Sequence, residues 1–475
     1  MDLTSRLRSI VQSGPARPAR ELTYEPDDGY RREATLDLRR VAETLGGLPI
    51  GTPFGECLAI DRRYESDRWH GGVRIGDCEV DTAALELLDP GLLAPDRPDG
   101  AAVGAVREGV PRRTIFIDLE TTGLSGGAGT VAFLVGCGYF DLGAFQVRQF
   151  LLTSYASERA LLAAVAQFFG GVDLIVSYNG KSFDLPMMET RWLFHRIEMP
   201  LDGVPHFDMV HTARRLWKSR GAPSARDRGA SRRLSGSGAF QHRAAASGPA
   251  PDLDSGCCRL STLERALFDV RRVGDVPGLE IPSRFFRFLR SGDAAPLEPV
   301  LEHNRIDLVS LAAVTARAAK LVQNGHEVCA DSTEALALGR VYERAEAMGR
   351  AEACYRAAAE SDEPEVKGEA LYRLALRCRR ERRFSEAAGV WRAILALTGP
   401  KSVRRRGSLA ELRQCAVEAL AIHHEHRDRD LMSARELALF ALEEGDQRRV
   451  DAVRHRLARL DRKLAKRKDA QLFTS

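Results

Sequence analysis

The run Phe116-Ile117-Asp118-Leu119-Glu120-Thr121-Thr122-Gly123-Leu124 limits the fold more than any other feature of the chain. Its apolar residues read as a short strand ending in two carboxylates. Side chains alternate along a strand, so Asp118 and Glu120 point to one face. Two anions so placed repel unless a cation lies between them. Carboxylate oxygens suit hard cations such as Mg²⁺ and Mn²⁺. The threonines and glycine that follow make a tight polar turn. An isolated Asp-x-Glu also fits a strand end with solvated acids, so the segments downstream decide between the two readings.

Around this strand the chain reads as α/β. Strands are expected at 114–119, Val131 to Phe140, Phe145 to Thr153 and Leu174 to Val176, with a helix at 157–169. The three consecutive strands suit an antiparallel arrangement. The Gly-rich turn at 125–129 lacks the Lys-Ser/Thr of a P-loop and the spacing of a dinucleotide fingerprint. The chain of 475 residues is too long for one ordinary domain. Residues 1–46 read as an arm and a short amphipathic helix at 34–46, and 47–110 as a small β-rich lobe. Residues 111–322 form the α/β domain. Within it, 219–256 carry too few large apolar side chains to offset their ordering entropy and read as a disordered basic insertion. His70, beside Trp69 in the lobe, reads as a packed or surface histidine rather than a ligand.

From about 331 the composition turns helical, with a 36-residue echo. Gly339, Tyr342, Ala351, Tyr355 and Ala358 correspond to Ala375, Cys378, Ala387, Trp391 and Ile394. Small residues at a helix crossing with an aromatic nearby fit tetratricopeptide-like helix pairs over 331–445. A basic helix closes the chain at 446–475. The nine cysteines form no Cys-x-x-Cys pair, which argues against a zinc ribbon and a disulfide framework. The net charge of +4 is small, but arginines cluster around 213–243, at 404–406 and in the last helix. Such patches suit a phosphate backbone or simply a solvated face. No apolar run is long enough to span a membrane and no signal segment is evident, so a cytoplasmic protein is expected.

Three further segments supply acids. Tyr178-Asn179-Gly180-Lys181-Ser182-Phe183-Asp184 ends a strand and presents Asp184 at a helix start, where it serves either as a ligand or as a cap. His206-Phe207-Asp208 is a short strand leading into a helix. His303-Asn304-Arg305-Ile306-Asp307 lies in a long helix, with His303 and Asp307 one turn apart on one face.

These segments, in this order, resemble the DEDD exonucleases of the ribonuclease H-like fold, and the chain looks most like YprB-type bacterial proteins that add a tetratricopeptide-like tail. The resemblance covers about 47–322 and extends loosely through the tail. It implies an α/β ribonuclease H-like domain, a mixed sheet flanked by helices, followed by an all-α repeat domain. Asp118, Glu120, Asp184 and Asp307 would be the metal ligands for two Mg²⁺ or Mn²⁺ ions, and His303 the general base. Asp208 would support the site. Thr121, Thr122, Leu124, Tyr178, Asn179 and Lys181 would border the substrate, although Tyr178 also fits the core and Lys181 a solvated turn. The family places a histidine base five residues before its last aspartate and a tyrosine four before; here a histidine stands at the tyrosine spacing.

The implied reaction is 3′→5′ hydrolysis of single-stranded nucleic acid, DNA or RNA, releasing nucleoside 5′-monophosphates. From another class, a catalytically weak or inactive nucleic-acid-binding scaffold would act through the repeats, which commonly hold a protein partner in a groove. An endonuclease on the same fold is a third reading, told apart by product length.

Overall fold

The computed structural model describes residues 37–93, 113–123, 129–218, 258–397, 408–444 and 450–472. The expected arm at 1–20, the Gly-rich segment from Leu124 to Ala128 and the insertion at 219–256 lie outside them. No helix among the described residues is long and apolar enough to cross a membrane, and the described cysteines are free thiols.

Helix α1 (Leu38–Leu45) starts where the Asp37 carboxylate accepts the Arg39 amide, and stops at Gly46 in the left-handed region. Strands β1 (Leu48–Thr52) and β2 (Gly55–Tyr64) follow as a hairpin, then the small ribbon β3 (Trp69–His70) and β4 (Val73–Arg74) and helix α2 (Thr82–Leu88). Next come β5 (Thr114–Thr121), β6 (Ala132–Asp141), β7 (Ala144–Leu151), α3 (Glu158–Phe168), β8 (Leu174–Ser177), α4 (Asp184–Phe194), β9 (His206–Asp208) and α5 (Met209–Trp217). Helices α6 (Leu260–Phe268), α7 (Ile281–Ser291) and the long α8 (Glu298–Asn324) complete this part.

The sheet has seven strands in the order β1-β2-β7-β6-β5-β8-β9. β5, β6 and β7 form an antiparallel meander, as their short connections require, whereas β8 and β9 run parallel to β5 through helical crossovers. The expectation of a separate β-rich lobe at 47–110 is corrected here. β2 pairs with β7 from Leu58↔Leu151 to Tyr64↔Phe145, and β1 lies outside it on the same sheet. The reason is burial: Cys57, Leu58, Ala59 and Ile60 are all buried, and a lone hairpin cannot cover both of its faces. Only the β3–β4 ribbon stands apart, with the Gly72 amide donating to the Phe268 carbonyl at the end of α6 (2.6 Å).

Alternation along β5 divides the core. Ile115, Ile117 and Leu119 pack with Phe133, Met188, Trp192 and Phe285 on one face. Phe116 packs with Val176, Phe207 and Leu308 on the other, the α8 side. Asp118 and Glu120 share the face of Phe116, so α8 crosses the strand above both acids. The crossing is close at Gly136, the residue opposite Asp118 on β6. A Cβ there would lie 2.2 Å from the Asn304 Oδ1 of α8, so only glycine lets the helix settle this low.

Beyond α8 the chain is helical. It continues as α9 (Ser332–Arg344), α10 (Met348–Ala358), α11 (Pro364–Arg380), α12 (Phe384–Leu397), α13 (Ser408–His423), α14 (Leu431–Glu444) and α15 (Val450–Leu472). Gly339 of α9 faces the Tyr355 ring of α10, and Ala375 and Trp391 are both buried in α11 and α12. The first pair is joined firmly to the sheet domain. Glu334, fully buried on α9, accepts from the Trp217 indole of α5 (2.7 Å) and from Arg317 of α8 (2.7 Å). The Tyr342 hydroxyl donates to the Val322 carbonyl near the end of α8 (2.8 Å).

Candidate active site

The acidic end of β5 is held by amides. Asn304 Nδ2 donates to the Asp118 carboxylate (2.7 Å) and to its backbone carbonyl (3.1 Å). Asn304 is itself fixed by Gln149 of β7, whose Nε2 donates to Asn304 Oδ1 (2.7 Å) and to the Leu301 carbonyl (2.9 Å). Arg305 Nη1 donates to the remaining Gln149 oxygen (3.2 Å). After Glu120 the register of β5 against β6 shifts, and the two threonines turn the chain. The Thr121 hydroxyl donates to the Gly123 carbonyl (2.9 Å), and Thr122 Oγ1 accepts the Val131 amide (3.0 Å). Leu124 lies outside the described residues.

The turn from β8 to α4 is organised by Asp208. Its carboxylate, buried at the end of β9, accepts the amides of Asn179 (2.7 Å), Lys181 (3.1 Å) and Val210 (3.2 Å). Asn179 adopts φ +68°, the left-handed conformation that asparagine tolerates best after glycine. Gly180 then passes so close to Ser177 that a Cβ would lie 2.4 Å from its Oγ. That tight turn delivers Asp184 as the first residue of α4. Ser177 Oγ also meets His206 Nε2 (2.7 Å), and burial, aided by the Lys181 charge, holds the His206 pKa down at about 4, so the ring is neutral. The Tyr178 hydroxyl donates to the Cys258 carbonyl and the Lys181 ammonium sits 3.7 Å from Asp89. In this structure, then, both side chains face protein partners.

Helix α8 brings Asp307 and His303. Asp307 Oδ1 pairs with Arg272, and its Oδ2 lies 3.5 Å from His303 Nε2. His303 Nδ1 meets Asp275 Oδ1 at 2.6 Å. Burial raises the Asp275 pKa, but His303, Arg272 and the Val276 amide outweigh it and leave the net shift downward. Asp275 is therefore the acceptor and His303 Nδ1 the donor, which turns Nε2 towards Asp307.

The four acids of the sequence reading lie within one another's electrostatic reach. Burial, then the charges of Asp307, Glu120 and Asp184, raise the Asp118 pKa well above the usual carboxylate range, against the pull of the Asn304 hydrogen bond. Burial, then Asp307, Asp184 and Asp275, does the same to Glu120. Asp184 is pushed up to about 7 by burial and by Asp208. The acids do not close into a ready-made cage, since no group of three or more His, Cys, Asp or Glu among the described residues is arranged to hold an ion. The donor chemistry nonetheless fits a hard divalent cation: the charges of Asp307 and Asp184 raise the cost of ionising the half-buried Asp118 and Glu120, and a dication removes that cost.

Asn304, Gln149, Glu264, Arg272 and Asp275 escape the sequence reading. Gln149 shares the run from Phe145 to Leu152 with Gln146 and Arg148, so nothing in the sequence marks it out. Asn304 stands inside a segment that the acids already mark. Arg272 and Asp275 lie in an irregular stretch after α6, where neither spacing nor periodicity distinguishes them from solvated charges.

A family profile described as RNase_H superfamily matches residues 115–231 and 242–319. A protein of Bacillus subtilis (strain 168), described as uncharacterized protein YprB, is 28% identical over 358 residues, which cover 73% of this chain and 74% of that one. The matched residues begin on β5 and end on α8, the two elements that carry Asp118, Glu120 and Asp307. The mixed sheet and the helix that crosses it are therefore RNase H-like in architecture and similar to the RNase_H superfamily, joined to a helical region in a chain similar to YprB.

Proposed function

We propose that this chain is a metal-dependent 3′→5′ exonuclease that hydrolyses single-stranded nucleic acid to nucleoside 5′-monophosphates. The observation that carries the reading is the half-buried set of Asp118, Glu120, Asp184 and Asp307 at one end of an RNase H-like sheet, where the charges of Asp307 and Asp184 bear on Asp118 and Glu120. A structural site gains nothing from four such acids, whereas a cation site needs them. These four would hold two Mg²⁺ or Mn²⁺ ions. When bound, such ions lower the pKa of an attacking water and stabilise the leaving 3′ oxygen.

The chain's own groups do the rest. His303, its Nδ1 proton committed to Asp275, accepts the water's proton at Nε2. Asn304 keeps the Asp118 carboxylate in one orientation. Asp208 sets the turn that aims Asp184 and is a support rather than a ligand. Thr121 and Thr122 on one side and Asn179 and Lys181 on the other would flank the terminal nucleotide, with Tyr178 packed behind them. The helical pairs serve as a tetratricopeptide-like surface for a protein partner.

The test is a gel assay of the full chain on 5′-labelled single-stranded DNA and RNA with Mn²⁺, Mg²⁺ or EDTA. A single-nucleotide ladder that needs the ion and is absent from Asp118→Ala is expected. Because Asp118 is ionised only at a cost, its replacement leaves the fold intact. Discrete internal fragments would indicate an endonuclease, and turnover by Asp118→Ala would sink the assignment. No cleavage with either ion would move the reading to a nucleic-acid-binding scaffold.

A further inference from the structure

Arg272 sits where the site's charges meet, on none of the elements that carry the four acids. Its side chain is 8% exposed and its partner Glu264, on α6, is 2% exposed. The two form a fork-to-fork pair, with Nε to Oε1 at 2.6 Å and Nη2 to Oε2 at 2.9 Å. Glu264 is anchored in turn, because the Ser310 hydroxyl of α8 donates to its Oε2 and His70 Nε2 donates to Ser310 Oγ (2.9 Å). Burial and the neighbouring Arg272 and Arg68 charges hold His70 neutral, with its pKa down at about 4. A guanidinium gripped this way is planar and cannot swing. Its free edge then makes two contacts that matter: Nη2 to Asp307 Oδ1, and Nη1 to Asp275 Oδ2 (3.4 Å). Asp275 passes the constraint on to His303.

We infer that Arg272 is the positioning residue of this site: one guanidinium, locked on Glu264, fixes both the acid Asp307 and, through Asp275, the base His303. The inference rests on the metal-dependent reading above. Arg272 holds Oδ1 of Asp307 while Oδ2, 3.5 Å from His303 and beyond a good hydrogen bond, is left for the ion. Groups that orient a ligating carboxylate in this manner commonly set metal affinity. The arrangement also accounts for a histidine one helical turn before Asp307: its ring is held from the side by Asp275, so its place on α8 need not be the only thing that aims it.

The test uses the full chain and Mn²⁺ as the probe, with binding read by EPR or calorimetry and hydrolysis read separately. Arg272→Gln is made together with Glu264→Gln, so that the buried Glu264 carboxylate is not left without its partner, and folding is checked by thermal melting in EDTA. This pair is expected to weaken Asp118-dependent Mn²⁺ binding by about 10–100-fold. Arg272→Lys should not rescue it, because an ammonium cannot span Glu264 and Asp307 together. Asp275→Asn should leave Mn²⁺ affinity within about threefold while lowering kcat about 100-fold at unchanged KM. The control is Arg271→Gln, an exposed neighbour that should alter neither readout. Wild-type affinity in the Arg272 variant, or tighter binding, overturns the inference while leaving the exonuclease reading standing. Absence of any Asp118-dependent Mn²⁺ binding in the wild-type chain overturns both, and reduces Arg272 to an internal ion pair.

Discussion

Asp184 shows how one residue ties the site to the pH behaviour of the whole chain. Its carboxyl titrates near 7 in the fold, mainly through burial, against about 3.9 in an unfolded chain. A group whose folded pKa is raised lends stability that is full below its unfolded pKa and is lost as pH rises through the folded one. The metal-free protein should therefore weaken between about pH 4 and pH 7. Asp118 and Glu120 are shifted in the same direction by burial and by their neighbours. Thermal melts in EDTA should show a midpoint lower by roughly 5 °C or more at pH 8 than at pH 5. Asp184→Asn should shrink that difference, and Mn²⁺ should restore the midpoint at pH 8 in the wild-type chain alone. An Asp184→Asn profile that follows the wild type would locate the effect elsewhere.

Elements were legible in proportion to how local their causes are. The strand at 114–119 could be read because Ile115, Ile117 and Leu119 alternate with Phe116 and the two acids, and the structure extends it only to Thr121. The helix at 34–46 appears as Leu38–Leu45, bounded by Asp37 and Gly46. The long helix expected to carry His303 and Asp307 is Glu298–Asn324. What could not be read was partnership at a distance. Nothing in Cys57-Leu58-Ala59-Ile60 says that its second face is covered by the main sheet, and nothing near Arg272 points to a helix 35 residues onward. Gly136 belongs to this class as well, since its meaning depends on Asn304. Gly136→Ala should force the helix or the amide aside, costing about 1–3 kcal/mol in chemical denaturation. It should also lower metal-dependent hydrolysis by loosening Asp118. Unchanged stability would mean that α8 can lift from β6 at little cost.

At the scale of the molecule, the two halves share a core rather than a linker. Phe116, Leu308, Tyr342 and Tyr355 belong to one continuous buried cluster. A truncation that removes everything from Ser332 onward would strip Glu334 from Trp217 and Arg317 and leave the far half of α8 bare. Such a fragment should bind a hydrophobic dye and lose its near-ultraviolet signal, and a fragment that melts cooperatively would show the domains to be separable. The length of α8 has a mechanical side. Asp307 lies about 15 residues before Val322, where Tyr342 grips the helix. That arm is roughly 22 Å at 1.5 Å per residue. A tilt of about 5° at the gripped end would carry Asp307 through roughly 2 Å, some tenfold more than the ~0.2 Å that a ligand distance tolerates. The helix is thus a stiff lever whose short travel at the tail is enough to bring Asp307 to the acids of β5 or carry it away from them.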